Sequence, residues 1–501
     1  RSSAASDVYK RQRVTRLKAM AEGEQAGKYI YIDRRNRRVM DMKQVLKGGI
    51  VVGGSGSFKA DVLIDGEKVA AVGTGEEIGH LADKDTRVVD VEGCLLFPGF
   101  IDAHTHFDLH VAGTVTADDF ATGTKAAVRG GTTTIVDFGT QYTGESLADG
   151  LRNWHEKADG RCSCDYGFHM SISDWNPSVS RELDDMMEEG ITSFKLYMTY
   201  DTQVDDKTIF EILRRLKEVG GITGVHCENS GMIAALQAEA KAAGRMGVES
   251  HPATRPAAAE AEAIDRLLRL AEVADIPVIV VHLTCREGCD VIMEARRRGQ
   301  KVYAETCPQY LLMDDSLYGL TGMEGAKYVC APPLRKPEDS QRLWRALADG
   351  TIQTVSTDHC SFTTAQKALG KDDFTKIPGG MPGVETRGTL LFTYGVDAGR
   401  ITRERMCQLL SENPAKLYGM YPEKGVIAPG SDADIVVMRT GVEDTVTAAD
   451  QVQNVDYAPF EGRKLTARIE SVFLRGTQVV KDHQVVVEKA GRFVKRGKYA
   501  L

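Results

Sequence analysis

With 501 residues, 42% of them hydrophobic and 27% charged, the chain can bury one large core, or a large core with a smaller companion. A formal net charge of -8 supplies no global basic field, which argues against nucleic acid and anionic membrane as partners. The ten cysteines are scattered, and no leader-like or long apolar segment accompanies them, so a reducing cytoplasm is expected and not a disulfide framework.

The first forty residues are polar and unpatterned. Arg34, Arg35, Arg37 and Arg38 form a basic cluster without aromatic residues for stacking. Residues 1–42 are read as a disordered or expression-derived extension, with Met40 or Met42 able to serve as a natural start. From Gln44 to Asp90 short β-rich runs (GGIVVGGSGS, ADVLIDGEKVAAVG, TRVVDVEG) are separated by glycine turns, the pattern of antiparallel strands. The Gly53 to Gly56 stretch lacks GxxxxGK[ST] and precedes no helix, so it predicts a hairpin turn and not a phosphate loop.

Beyond residue 95 the rhythm changes. LLFPGFIDAHTH ends an apolar run at His104 and His106, ITSFKLYMTY carries Lys195, ITGVHCEN carries His226, IPVIVVHLT carries His282, and IQTVSTDH ends at Asp358. The run from Val278 to Val281 does not alternate, so it reads as a strand buried on both faces. Between such runs lie stretches with apolar residues at helical spacing, among them DDFATGTKAAVRGG, KTIFEILRRLKEVG, AEAEAIDRLLRLAEVAD, REGCDVIMEARRRGQ and RERMCQLLSENPAKLYG. This is the βα repeat of a parallel barrel, whose strands converge at their carboxyl ends on one face. After Pro429, short strands return in SDADIVVMR, ARIESVFLRGTQVV and KDHQVVVEKAGRFVKRG, so both ends of the chain are expected to build one small β-sandwich beside the barrel.

Four imidazoles and a carboxylate arriving from separate strands can reach common ions, and these donors suit zinc as well as manganese, iron or nickel. Lys195 is unlike them. An ammonium inside an apolar strand is penalised by roughly several kcal/mol unless it is paired or neutralised. One outcome is a stem that lies along apolar surface with its ammonium in solvent. The other is reaction with carbon dioxide to an anionic carbamate whose two oxygens bridge two cations. Cys162-Ser163-Cys164 lacks a partner motif and reads as an ordinary exposed loop. His110, His155, His169 and His251 lack the strand-end context and read as structural or exposed. His359 is a candidate supporter of the site, Cys227 is expected to point away from it, and Asp102 either orients a ligand imidazole or pairs at the strand end.

On GFIDAHTHFDL, GTVTADDF, GGTTTIVDFGTQ, FKLYMTY, VHCEN, VHLT, CPQYL, PPLR, STDHC and PGVETR, the chain resembles the hydantoinase and dihydropyrimidinase branch of the cyclic amidohydrolases over about residues 43–480. The resemblance implies a (β/α)8 TIM-like barrel with two divalent ions. His104, His106 and Asp358 would hold one ion, His226 and His282 the other, and N6-carboxylated Lys195 would bridge them, with zinc the expected metal. Tyr200 would donate to the developing oxyanion, and Ala331 and Gly379 would meet the substrate's imide through backbone groups. Asp358 would also serve as general base toward a hydroxide shared by the two ions. The implied reaction is opening of a hydantoin or 5,6-dihydropyrimidine to an N-carbamoyl amino acid, as in pyrimidine catabolism. A cytoplasmic homotetramer or homodimer acting on a small cyclic amide is expected.

The expected organisation is an extension at 1–42, sandwich at 43–95, barrel at 96–427, sandwich again at 428–485 and a tail at 486–501. Phe107 and Asp108 follow the HxH pair where dihydroorotases carry an arginine and allantoinases an asparagine, and an apolar and an acidic residue do not suit a substrate carboxylate. Two positions depart from the family pattern: Ala331 replaces a frequent serine before PPLR, and Gly379 replaces a frequent asparagine after the Ile-Pro pair. Allantoinase-like or dihydroorotase-like cyclic amidases, a deaminase-type enzyme with one metal, and a non-catalytic scaffold relative are the alternatives. The presence of all six ligand candidates argues against the scaffold.

Overall fold

The computed structural model describes residues 43–501, and the polar N-terminal region with its arginine cluster lies outside the described residues. β1 (Gln44–Gly53), β2 (Gly56–Asp65) and β3 (Lys68–Gly73) form an antiparallel meander, and the glycine stretch is the tight turn that pairs Gly53 with Gly56. β4 (Arg87–Asp90) and β5 (Cys94–Pro98) depart from the antiparallel expectation by joining β1 in parallel. The reason is the helix Gly75–Leu81 between β3 and β4, a crossover that brings the chain back in the direction of β1.

Eight parallel strands follow: β6 (Phe100–Thr105), then, after a small hairpin of β7 (His110–Val111) and β8 (Thr114–Val115), β9 (Thr132–Thr140), β10 (Asp165–Ser171), β11 (Ser193–Tyr197), β12 (Ile222–His226), β13 (Val278–Val280), β14 (Val302–Thr306) and β15 (Thr354–Val355). They pair in chain order, and a bridge between Thr105 and His359 brings the last strand back to the first. The intervening helices are amphipathic. Asp206–Val219, for example, is capped by the Asp205 side chain on the Thr208 amide and stopped by Gly220 at φ +80°, a conformation open to glycine. It buries Ile209, Ile212, Leu213 and Leu216, each worth about 1.5–3 kcal/mol against exposure. RERMCQLLSENPAKLYG is not one regular helix: it widens at Gln408–Glu412, just before Pro414, whose ring has no N–H to give to the preceding turn.

β16 (Ile435–Thr445), β17 (Lys464–Leu474), β18 (Thr477–Lys481) and β19 (Gln484–Val485) complete the smaller domain. β16 pairs with β5 on one side and β17 on the other, so both terminal regions share one nine-stranded ladder. Leu46, Val62, Leu96, Val437 and Phe473 lie in its core. The last residues return to the barrel. Val494, Tyr499 and Leu501 lie against Ile101, Ile222, Ile279 and Tyr303 at the amino-terminal end of the strands, and Arg496 donates to Ser193 Oγ at 2.7 Å. Cys162, Ser163 and Cys164 are buried and not exposed, because this tail covers them: a Cβ on Gly491 would fall 1.8 Å from the Cys164 carbonyl oxygen. All ten cysteines are buried and free. Among the described residues no helix is long and apolar enough to cross a membrane.

Candidate metal centre

Every strand that carries a candidate ligand delivers it at or near its carboxyl end. His104 lies in β6 with His106 one residue beyond, the i, i+2 spacing that puts both on one side of an extended chain. Lys195 sits inside β11, His226 closes β12, His282 lies two residues past β13 and Asp358 three past β15. His282, Asp358 and Tyr200 have φ of +39°, +52° and +72°, a left-handed backbone that costs on the order of 1–3 kcal/mol per non-glycine residue and tends to mark functional positions.

These residues converge. His104 Nε2 and His106 Nε2 lie 3.3 and 3.1 Å from the same Asp358 oxygen, while His226 Nδ1 and His282 Nε2 face each other at 2.9 Å. His104, His282 and Asp358 offer donor atoms within 4.8 Å of one another, a spacing that one ion can span. Lys195 is fully buried, and its ammonium lies over the rings of Phe138 and Tyr197 at 4.9 and 5.0 Å. His104 Nε2, His106 Nδ1, Lys195 Nζ and His282 Nδ1 are buried without a hydrogen-bond partner among the described residues. Buried polar atoms are rarely left so, and the donor set fits a cation.

The electrostatics agree. Burial, with the Lys195 charge added, holds His104 well below the usual imidazole range, and burial with His226 and Lys195 does the same for His282, so both rings are neutral as metal binding requires. Burial pulls Lys195 down to about 8, against Asp358 and Glu305. Burial would raise Asp358, but His104 and His106 outweigh it and hold the carboxylate low.

Several supports escaped the sequence reading. Glu305 accepts from His104 Nδ1 at 2.6 Å and from Ser356 Oγ at 2.7 Å, and burial lifts it to about 7. Glu228 meets His226 Nε2 at 2.7 Å and is itself paired with Arg255. Both fix which nitrogen of the imidazole faces inward. Asp137, on β9, fixes the strand of the HxH pair by accepting from Thr105 Oγ1 and the Phe107 amide at 2.7 and 3.0 Å. The signal was present in each case, a lone acid inside an apolar strand or two residues past a histidine, but nothing in it separates a ligand from its brace.

Asp102 does not orient an imidazole. It binds the Thr357 amide and hydroxyl at 3.1 and 2.7 Å and so pairs at the strand ends beside Asp358. His359 turns away from the candidate ligands: Nε2 meets Asp118 at 3.0 Å, and Nδ1 accepts from the Gly383 and Val384 amides. Cys227 donates back to the Val225 carbonyl. Phe107 is fully buried against Phe120, His359 and Gly123, where a Cβ would meet its ring at 2.2 Å, so it lines the core and not the cleft. Asp108 and the missing arginine, and not Phe107, are therefore what disfavours a substrate carboxylate.

Tyr200 is 40% exposed, with its ring 5.0 Å from that of His226 and under the Arg255 guanidinium at 5.5 Å. Desolvation pushes its phenol up despite Arg255, so it remains a proton donor. Ala331 is half-buried and Gly379 exposed, and Gly380 beside the latter donates to the Val329 carbonyl at 2.9 Å, which brings the two segments together.

Residues 95–479 match the profile of the Amidohydrolase family. The chain is 44% identical over 453 residues to a D-hydantoinase of Streptomyces coelicolor, covering 90% of this chain and 97% of that protein. It is likewise 44% identical over 463 residues to a D-hydantoinase of Geobacillus stearothermophilus, covering 91% and 97%. The crystal structure of a dihydropyrimidinase from Brevibacillus agri superposes with a TM-score of 0.90 at 46% identity, covering 92% of this chain and all of the other.

Proposed function

The chain belongs to the amidohydrolase family, in its hydantoinase and dihydropyrimidinase branch, and from that premise we propose that it opens the ring of a hydantoin or a 5,6-dihydropyrimidine to an N-carbamoyl amino acid. One observation carries the reading: the buried donor set at the barrel mouth has atoms without partners, His104 Nε2 and Lys195 Nζ foremost. In this reading His104, His106 and Asp358 would hold one divalent ion and His226 and His282 a second, with Lys195, as N6-carboxylysine, the ligand they would share. The neutral amine of Lys195, accessible near neutral pH because of its burial, adds carbon dioxide and releases one proton to give the carbamate. Imidazole and carboxylate donors suit zinc. Bound there, the ions would supply Lewis acidity toward the scissile carbonyl and the attacking water.

The chain's own groups do the rest. Asp358, kept ionised by the imidazoles around it, takes a proton from the attacking water and returns it to the departing ring nitrogen. Tyr200 donates to the oxygen that becomes negative, an interaction that grows toward the transition state. Ala331 and Gly379 hold the imide edge through backbone groups. A cytoplasmic homotetramer or homodimer belongs to the same reading.

The test is an initial-rate panel of hydantoin, 5-substituted hydantoins, dihydrouracil, allantoin and dihydroorotate, with metal counted per chain. Turnover among the first three with two metals is expected. Turnover confined to allantoin or dihydroorotate, or none at all, would refute the substrate class.

A further inference from the structure

Lys367 is buried near the mouth and has no part in the chemistry above. It ends the short helix Thr364–Lys367, is 1% exposed, and has no carboxylate at ion-pair distance among the described residues. Its ammonium donates to three backbone carbonyls instead, those of Val329 at 2.8 Å, Pro378 at 2.7 Å and Gly380 at 2.7 Å. These use all three of its protons. The Phe362 ring lies 5.5 Å away. Burying a cation on dipoles alone is unfavourable enough to raise the question of what it holds.

It holds two segments of unusual position. Val329 stands two residues before Ala331, and Pro378 and Gly380 flank Gly379. The same Val329 carbonyl accepts the Gly380 amide at 2.9 Å, and Cys360, two residues past Asp358, donates its amide to the Met381 carbonyl at 3.2 Å. The segments are thus laced to each other and to the strand that delivers Asp358. The carbonyls on either side of Gly379 converge on one ammonium, and Gly379 itself is exposed, with nothing within 4 Å of a Cβ built there. At Gly380 a Cβ would strike the Cys360 carbonyl oxygen at 2.4 Å, so the neighbouring residue has no freedom to move inward.

We propose that Lys367 is a positioning residue: its ammonium sets the spacing and orientation of the two backbone segments, around Ala331 and Gly379, against which the imide edge of the substrate is held. The proposal rests on the functional reading above for what those segments bind, and it adds a residue that touches neither substrate nor metal. Its signature is a loss of ground-state binding with the chemical step intact.

The experiment uses the metal-loaded enzyme and the Lys367→Met variant with hydantoin and dihydrouracil. KM is expected to rise about tenfold or more while kcat changes less than about threefold, with metal content as in the wild type. Amide hydrogen exchange should accelerate at Val329, Gly380 and Cys360, whose N–H groups are bonded within the laced segments, and little elsewhere. Lys424→Met, at the far end of the barrel, serves as a control that lowers the thermal midpoint and leaves KM alone. An unchanged KM, or exchange that rises uniformly, overturns the proposal. Should Lys367→Met fail to fold, the wild type still decides: its Gly380 and Cys360 amides must exchange as slowly as core strands, and exchange as fast as the 110–115 hairpin overturns the clamp. If instead the functional reading fails, the wild type turns over none of the panel while the exchange pattern remains as described.

Discussion

At the amino-terminal end of the barrel Lys424 is buried among three carboxylates, whereas at the carboxyl end Lys195 is buried with no carboxylate at ion-pair distance among the described residues. Lys424 Nζ lies 2.8 Å from Asp165, 2.7 Å from Asp434 and 3.1 Å from Asp432. Arg475 pairs with Asp165 and gives its amide to Asp434 at 2.7 Å, and Lys68 reaches the other oxygen of Asp432 at 2.7 Å. Apart from Arg475 Nε, this cluster is satisfied within the chain. The three aspartates alone have the spacing of a metal site, but the lysine already occupies their centre. The mouth cluster is equally buried and has four atoms without partners. Burial of charge is therefore no mark of function here. Burial that only a charge from outside can complete is such a mark.

Four substitutions break or sharpen that contrast. Lys195→Ala should have the largest effect, with metal and turnover lost together, about 10⁴-fold or more in kcat, and partial rescue by a small carboxylic acid that occupies the vacated bridge. Two retained metals and normal turnover would put Lys195 in the same class as Lys424. Asp358→Asn keeps one coordinating oxygen and loses the base, so turnover should fall by about 10³-fold or more with at least one metal retained. A loss below about tenfold, or roughly 1.4 kcal/mol on the barrier, would give the base role to another residue.

Tyr200→Phe should lower kcat by about 10²-fold with both metals bound, the scale of one lost oxyanion donor. A reduced thermal midpoint with kcat unchanged would instead identify a packing tyrosine. Lys424→Met should leave kcat nearly unchanged and cost about 3–5 kcal/mol of stability, because it strands buried carboxylates.

The pH dependence of that last deficit has a definite sign. Burial pushes Asp165 up, but Lys424 and Arg475 outweigh it and hold its folded pKa below the usual range. Burial likewise opposes the Lys424 ammonium, yet the three aspartates raise its pKa above the usual value. The contribution of Asp165 and Lys424 is therefore complete between about pH 4 and 10, and it is lost as pH falls through the depressed value of Asp165 or rises through the raised value of Lys424, whereas Asp434, which burial raises despite Lys424, titrates in the opposite sense. Thermal midpoints of wild type and variant should converge in acid. A gap independent of pH would mean that Lys424 stabilises by packing alone.

The contrast also explains what the sequence made legible. The mouth residues interrupt apolar runs, and an interruption of a buried strand is visible in one dimension. Their braces are not. Glu305 in VYAET interrupts a strand and Glu228 in VHCEN follows one, as ligands also do, and only the distance to His104 or His226 distinguishes them. Phe107 shows the converse: it directly follows the candidate ligand His106, but its side chain fills the core against Phe120. The floor was least legible, because Asp165, Lys424, Asp434 and Arg475 come from three distant stretches, and the Gly491 to Leu501 tail that covers it has no periodicity. Lys367 resembles any helical surface lysine until its three carbonyl partners are seen.

β5, with Cys-Leu-Leu-Phe-Pro fully buried, runs between β1 and β16, yet β16 is reached only after about 340 further residues. At ribosomal speeds of roughly 5–20 residues per second, that interval lasts on the order of 20–70 s. Throughout it the nascent chain carries a half-built sheet whose apolar edge has unpaired N–H and C=O groups, the kind of edge that recruits strands from other chains. The barrel is synthesised entirely inside that window. Biogenesis of the enzyme therefore depends on shielding one five-residue strand until its distant partner emerges.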